Sequence, residues 1–183
     1  MRRLPALLIA LLIGAACRPA LPADTPDTSR ADALKAGYVV NFAKFVEWPA
    51  SAPADVLTLC FIGGSGVRTA LSQDIQIKRI GSRRLALREL KVSDAPSGCD
   101  VLYVAAETGE FRSLSAHWPE WQSQAILTIG DEKDFARHGG VIGMFAEQNR
   151  LRFNVNVENA RRAGLKISSA LLQLAVNVEK DAS

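Results

Sequence analysis

The run Gly64-Ser65-Gly66-Val67-Arg68-Thr69 comes nearest to a chemical motif in this 183-residue chain. It follows the apolar stretch Val56–Ile62, and a glycine-rich turn between a strand and a helix can offer free backbone N–H groups to phosphate. The match is partial. Thr69 stands where a third small residue is expected, no Lys-Ser/Thr pair follows, and no acidic residue closes a second strand about 20 residues on. Two readings remain for Gly64, Ser65 and Gly66: a turn that holds an anion or small ligand, or a plain tight turn. Nucleophilic hydrolysis needs a Ser or Cys beside a His that a carboxylate orients. Ser65 sits in GGSGV, which lacks the last glycine of a nucleophile elbow. His117, beside Trp118-Pro119, and His138, before Gly139-Gly140, are the two histidines, and both read as exposed or capping residues. Asp131, Glu132 and Asp134 follow a strand end, where carboxylates suit a helix N-terminus. They are too few and too irregularly spaced for calcium, and the histidines and cysteines show no zinc spacing. No catalytic, cofactor-binding or metal-binding residue is assigned.

The other informative side chains are cysteines and surface groups. Arg2 and Arg3 precede an apolar run from Leu4 to Ala16, which reads as an export leader over residues 1–23 and is short for a membrane span. The cleavage position stays open. Gly14-Ala15-Ala16-Cys17 is a weak lipobox, so a lipid anchor at Cys17 is the alternative to plain cleavage. Behind the leader, Cys60 and Cys99 remain. In an oxidising compartment two thiols read as one disulfide; the alternative is two buried free cysteines. Trp118 and Trp121 flank Pro119-Glu120 at a helix end, with at least one expected at the surface or both lidding the core. If Leu151, Phe153, Val155 and Val157 point inward, Arg152, Asn154, Asn156 and Glu158 face outward as a docking surface or a solvated face.

Positioning these groups takes a succession of strands and helices. Leu34, Tyr38, Phe42, Phe45 and Val46 recur at helical spacing, which predicts a helix over Arg30–Trp48, capped by Thr28 or Ser29 and stopped by Pro49. Buried strands are expected at Val56–Ile62, Val101–Ala105 and Ile126–Ile129, a further strand at Leu85–Val92, and helices at Val67–Gln73 and Thr108–Trp121. A short helical turn over Asp131–Arg137 follows the third buried strand. Val141–Ala146 and Leu151–Val157 alternate as an antiparallel hairpin at the sheet edge. A helix over Val157–Ala163 stops at Gly164. Ser168 or Ser169 caps a last helix with Leu171, Leu172, Ala175 and Val178 on its core stripe. This pattern describes one α/β sandwich over residues 30–183 behind a linker at 24–29: a mainly parallel sheet, an antiparallel edge hairpin and helices on both faces. Of the 22 Lys+Arg and 19 Asp+Glu, Arg2, Arg3 and Arg18 lie before Asp24, leaving 19 against 19 beyond it. A neutral domain has no field for phosphate backbones, which excludes nucleic acid as the expected partner.

Two segments near the ends of the domain, YVVNFAKFVEWP at Tyr38–Pro49 and RLRFNVNVENARRAGLKISSALLQLA at Arg150–Ala175, resemble the YfiR-like family of periplasmic regulators. The resemblance implies the same α/β architecture and a protein that acts by binding and not by catalysis. It implies a partner, the periplasmic domain of a membrane diguanylate cyclase, with an outer-membrane lipoprotein as a second partner and room for a homodimer. The 39-residue spacing of Cys60 and Cys99 matches the main disulfide of a family member. A second disulfide of that member aligns with Met144–Leu151, where GMFAEQNRL carries no cysteine.

Overall fold

The computed structural model describes residues 26–49, 55–73, 75, 79–109 and 111–180. The expected leader and Cys17 lie outside them. The first helix, α1 (Pro26–Lys44), begins with proline at its first position and Asp27 in its first turn, both favourable at a helix start, so residues 26–29 of the expected linker are helical. It ends at Lys44, before Pro49, because the chain turns at once into β1 (Val46–Glu47), which pairs antiparallel with β9 (Lys166–Ile167). Val46 is buried in that pairing, whereas Leu34 and Phe45, expected on the inward stripe, are 50% and 39% exposed.

The main sheet has eight strands: β2 (Val56–Ile62), β3 (Arg79–Ile80), β4 (Arg83–Leu90), β5 (Val101–Val104), β6 (Leu127–Gly130), β7 (Ile142–Glu147), β8 (Arg150–Asn156) and β10 (Asn177–Glu179). They lie in the order β10-β8-β7-β6-β5-β2-β4-β3. The five from β7 to β4 are parallel, and β8 and β3 run against their neighbours β7 and β4. The inner strands β5 and β6 are buried along their whole length, as covering on both faces requires. Gln148 and Asn149 both adopt positive φ in the β7–β8 turn, as a tight two-residue hairpin demands.

On one face, α1, α2 (Ser65–Ser72), α5 (Val157–Arg162) and α6 (Ser169–Leu174) close a core that includes Phe42, Phe61, Val67, Leu71, Phe153 and Leu171. On the other, α3 (Phe111–Leu114) and α4 (Trp118–Trp121) cover Cys60, Ile62, Leu102, Val104 and Phe135. The mainly parallel sandwich with helices on both faces is therefore the observed architecture. Three local expectations are corrected. The helix expected over Thr108–Trp121 is broken into short pieces because Gly109 turns at φ 62° and Pro119 lacks the N–H for a continuous ladder. The last helix stops at Leu174, and Val178 lies on strand β10, not on the helix stripe. Since β10 pairs with β8, the β7–β8 hairpin is not the sheet edge. Asp131–Arg137 forms hydrogen-bonded turns, with Phe135 N–H donating to Glu132 O and His138 N–H to Asp134 O, in line with the short helical turn expected there.

Candidate functional site

The parallel strands reverse direction of travel between β2 and β5: the chain goes from β2 outward to β4, then returns to add β5 and β6 on the opposite side. Crevices at the carboxyl ends of strands at such a switch point are where open α/β sheets bind ligands. The Gly63–Gly66 turn lies there. Gly63 and Gly64 take positive φ, 70° and 65°, and Gly64 packs on the ring of Tyr103, so a side chain at Gly64 would be strained and would collide.

The chain fills this crevice with its own carboxylates. Gly64 N–H donates to Glu107 Oε1 at 2.8 Å, and the Asp32 carboxylate of α1 abuts Gly66, where any Cβ would overlap it. Asp131, following β6, accepts Ala106 N–H at 2.5 Å and pairs with Lys35 Nζ of α1 at 2.5 Å. Tyr103 is fully buried among these groups, and its hydroxyl makes no hydrogen bond of normal geometry. Burial, reinforced by the charges of Asp131, Asp32 and Glu107, holds this phenol protonated far above the ordinary tyrosine range. A helix N-terminus already faced by Asp32 and Glu107 repels an external anion, so the geometry favours the tight-turn reading of Gly64, Ser65 and Gly66.

The remaining sequence candidates divide cleanly. Cys60 on β2 and Cys99 before β5 form a disulfide with Cα atoms 5.8 Å apart, and Arg88 donates to Cys99 Sγ at 2.8 Å. Trp118 and Trp121 are both buried, packed edge to face on each other, with Trp118 also against Phe135. The expectation of an exposed indole is thus corrected: the turn of helix that carries them lids the second core. His117 stacks on Trp121 and His138 Nδ1 meets Asp134 O, so neither stands beside Ser65 in a triad. Among the described residues no group of three or more His, Cys, Asp or Glu is arranged to hold a metal ion.

The outward face proposed for Arg152, Asn154, Asn156 and Glu158 is corrected most sharply. Asn154 and Asn156 are 3% and 5% exposed. Asn156 caps α5 by accepting Asn159 N–H at 2.9 Å and donates to Ala136 O at 3.1 Å, while Asn154 reaches Lys133 O at 3.5 Å. Asn159 adds a bond to Gly140 O at 2.9 Å. These amides hold the 131–140 loop over the sheet, which the strand alternation alone could not reveal. Arg152 is half-buried beside them. Glu158 belongs to α5, where hydrogen bonding and charge from Arg161 keep its carboxyl below the usual range.

Sequence reading missed one open feature of the described residues. Between α1 and α2 lies a groove of about 450 Å³, floored by Ala36, Val40 and Leu71, with Lys44 and Arg79 as its charged lining. Its sequence signal is the small-residue succession Ala33, Ala36, Gly37, Val40 along one side of α1.

A family model described as YfiR/HmsC-like matches residues 32–176, nearly the whole described domain. The chain belongs to the YfiR/HmsC-like family. Among solved structures it is similar to a conserved domain protein from Vibrio cholerae O1 biovar El Tor str. N16961, with a TM-score of 0.52 at 10% identity over 81% of this chain. The match spans 60% of that protein's length, and at this identity it speaks for the fold alone. Among the described residues no helix is long and apolar enough to cross a membrane.

Proposed function

We propose that this chain is a periplasmic regulatory protein that binds the periplasmic sensor domain of an inner-membrane diguanylate cyclase and holds the enzyme inactive, lowering cyclic di-GMP and biofilm formation. One observation carries the reading: membership of the YfiR/HmsC-like family over residues 32–176. The Cys60–Cys99 disulfide supports it, because such bonds persist in oxidising compartments. An outer-membrane lipoprotein that sequesters the regulator and frees the cyclase, and a homodimeric state, belong to the same proposal. Against the rival, a small-ligand protein using the Gly63–Gly66 turn, stands the occupation of that turn by Glu107 and Asp32.

Deleting the gene tests the proposal. Cellular cyclic di-GMP and surface attachment should rise, and a version lacking residues 1–23 should fail to restore them because it stays away from the sensor domain. Unchanged cyclic di-GMP, with the cyclase shown to be expressed, overturns it.

A further inference from the structure

The α1–α2 groove and the outer face of α1 have three properties that the fold itself does not use. First, Gly37 sits in the middle of a 19-residue helix, where glycine is less favourable than alanine. Among the described residues no atom beyond its chain neighbours and the helix's own backbone lies within 4 Å of the place its Cβ would occupy, so no packing among them requires glycine. Second, the charged residues lining the groove are Lys44 and Arg79, and among the described residues no carboxylate lines it. Lys44 donates to Asn41 and Arg79 to Ser82 O, and among the described residues neither makes an ion pair. Third, Leu34 stands exposed on α1, three residues from Gly37 and thus on the same side of the helix, and Phe45 stands exposed just past the helix end.

We infer that this face receives an α-helix of a partner protein bearing acidic side chains, whose backbone approaches α1 at Gly37 and whose carboxylates meet Lys44 and Arg79. Small residues at Ala33, Ala36 and Gly37 let a second helix lie close, and such a helix covers Leu34 and Phe45. Asn41 and Gln73 supply hydrogen bonds at the rim. Charge complementarity selects the occupant: two cations that pair with no carboxylate among the described residues, over an apolar floor, suit carboxylates set on an apolar helix face. The inference rests on the reading of this chain as a protein that acts by association, and it names the surface.

The test places the photo-crosslinking residue p-benzoylphenylalanine at Leu34 or Gly37 in the full-length chain, expressed in its own cells, with Glu120 on the opposite face as control. Adducts to one other protein are expected at both positions and not at Glu120, mapping to an acidic helical segment. Combining Lys44→Glu with Arg79→Glu should reduce them at least tenfold with an unchanged melting temperature. Gly37→Leu should fold with an equal or higher melting temperature and abolish regulation. Adducts to a second copy or to lipid, adducts indifferent to the charge reversals, or no adduct from a folded protein each overturn the inference. If the captured protein is neither a cyclase nor an outer-membrane lipoprotein, the groove stands and the proposed function fails. If the groove yields nothing while gene deletion still raises cyclic di-GMP, the function stands and the groove fails.

Discussion

At Tyr103 a fully buried phenol is held protonated by burial first and by the Asp131 carboxylate second. Because the folded-state value lies above that of the unfolded chain, the unfolded state alone loses its proton once the pH passes about 10, and stability falls from there upward. Urea melts of Tyr103→Phe should therefore lack much of the alkaline loss that the natural chain shows between pH 9 and 11, with little change at neutral pH. Strand alternation puts Asn156 on an outward face, docking or solvated, yet it caps α5 and holds Ala136 O. Asn156→Ala should cost about 2 kcal/mol, since it removes a helix cap and leaves a buried carbonyl short of a donor, and denaturant melts will measure it. Serine at Cys99 should lower stability by roughly 2–4 kcal/mol by opening a loop of 39 residues. Thiol titration of the denatured, unreduced described domain should find no free cysteine. The disulfide was legible because the two cysteines behind the expected export leader leave one pairing. The buried asparagines were not, because period-two alternation says which residues share a face but not whether a loop covers it.

Among the elements, α1 carries the clearest division of labour. Phe42 packs edge to face on Tyr38 and Phe153, deep in the first core, and Phe42→Ala should cost about 3–5 kcal/mol. Leu172 is half-buried, so Leu172→Ala should fall at or below the low end of the core range, about 2 kcal/mol. On the opposite side of α1, Gly37→Ala should raise stability by roughly 0.5–1 kcal/mol, because alanine is the better helix former and meets no neighbour. Thermal melts of the three variants distinguish these signs. The existence of α1 was legible from its apolar spacing, but its end was not. Pro49 advertised a stop that β1 had already imposed through pairing with β9, a contact about 120 residues away in sequence.

For the molecule as a whole, the proposed regulation predicts that loss of the gene raises cyclic di-GMP severalfold and that only an exported copy reverses it, as read by nucleotide extraction and attachment assays. The α/β class, the buried strands at Val56–Ile62 and Val101–Val104, the β7–β8 hairpin and the single cysteine pair follow from local pattern, because burial on both faces, alternation and turn chemistry are written in short windows. Tertiary structure alone decided that β10 lies outside β8, that Asp32 of α1 and Glu107 converge on the Gly63–Gly66 turn, and that the cations of the α1–α2 groove remain unpaired by carboxylates among the described residues. Each depends on which distant segments are brought side by side. A three-residue strand has too little pattern to announce its neighbour, and a carboxylate does not reveal in sequence whose N–H it will meet.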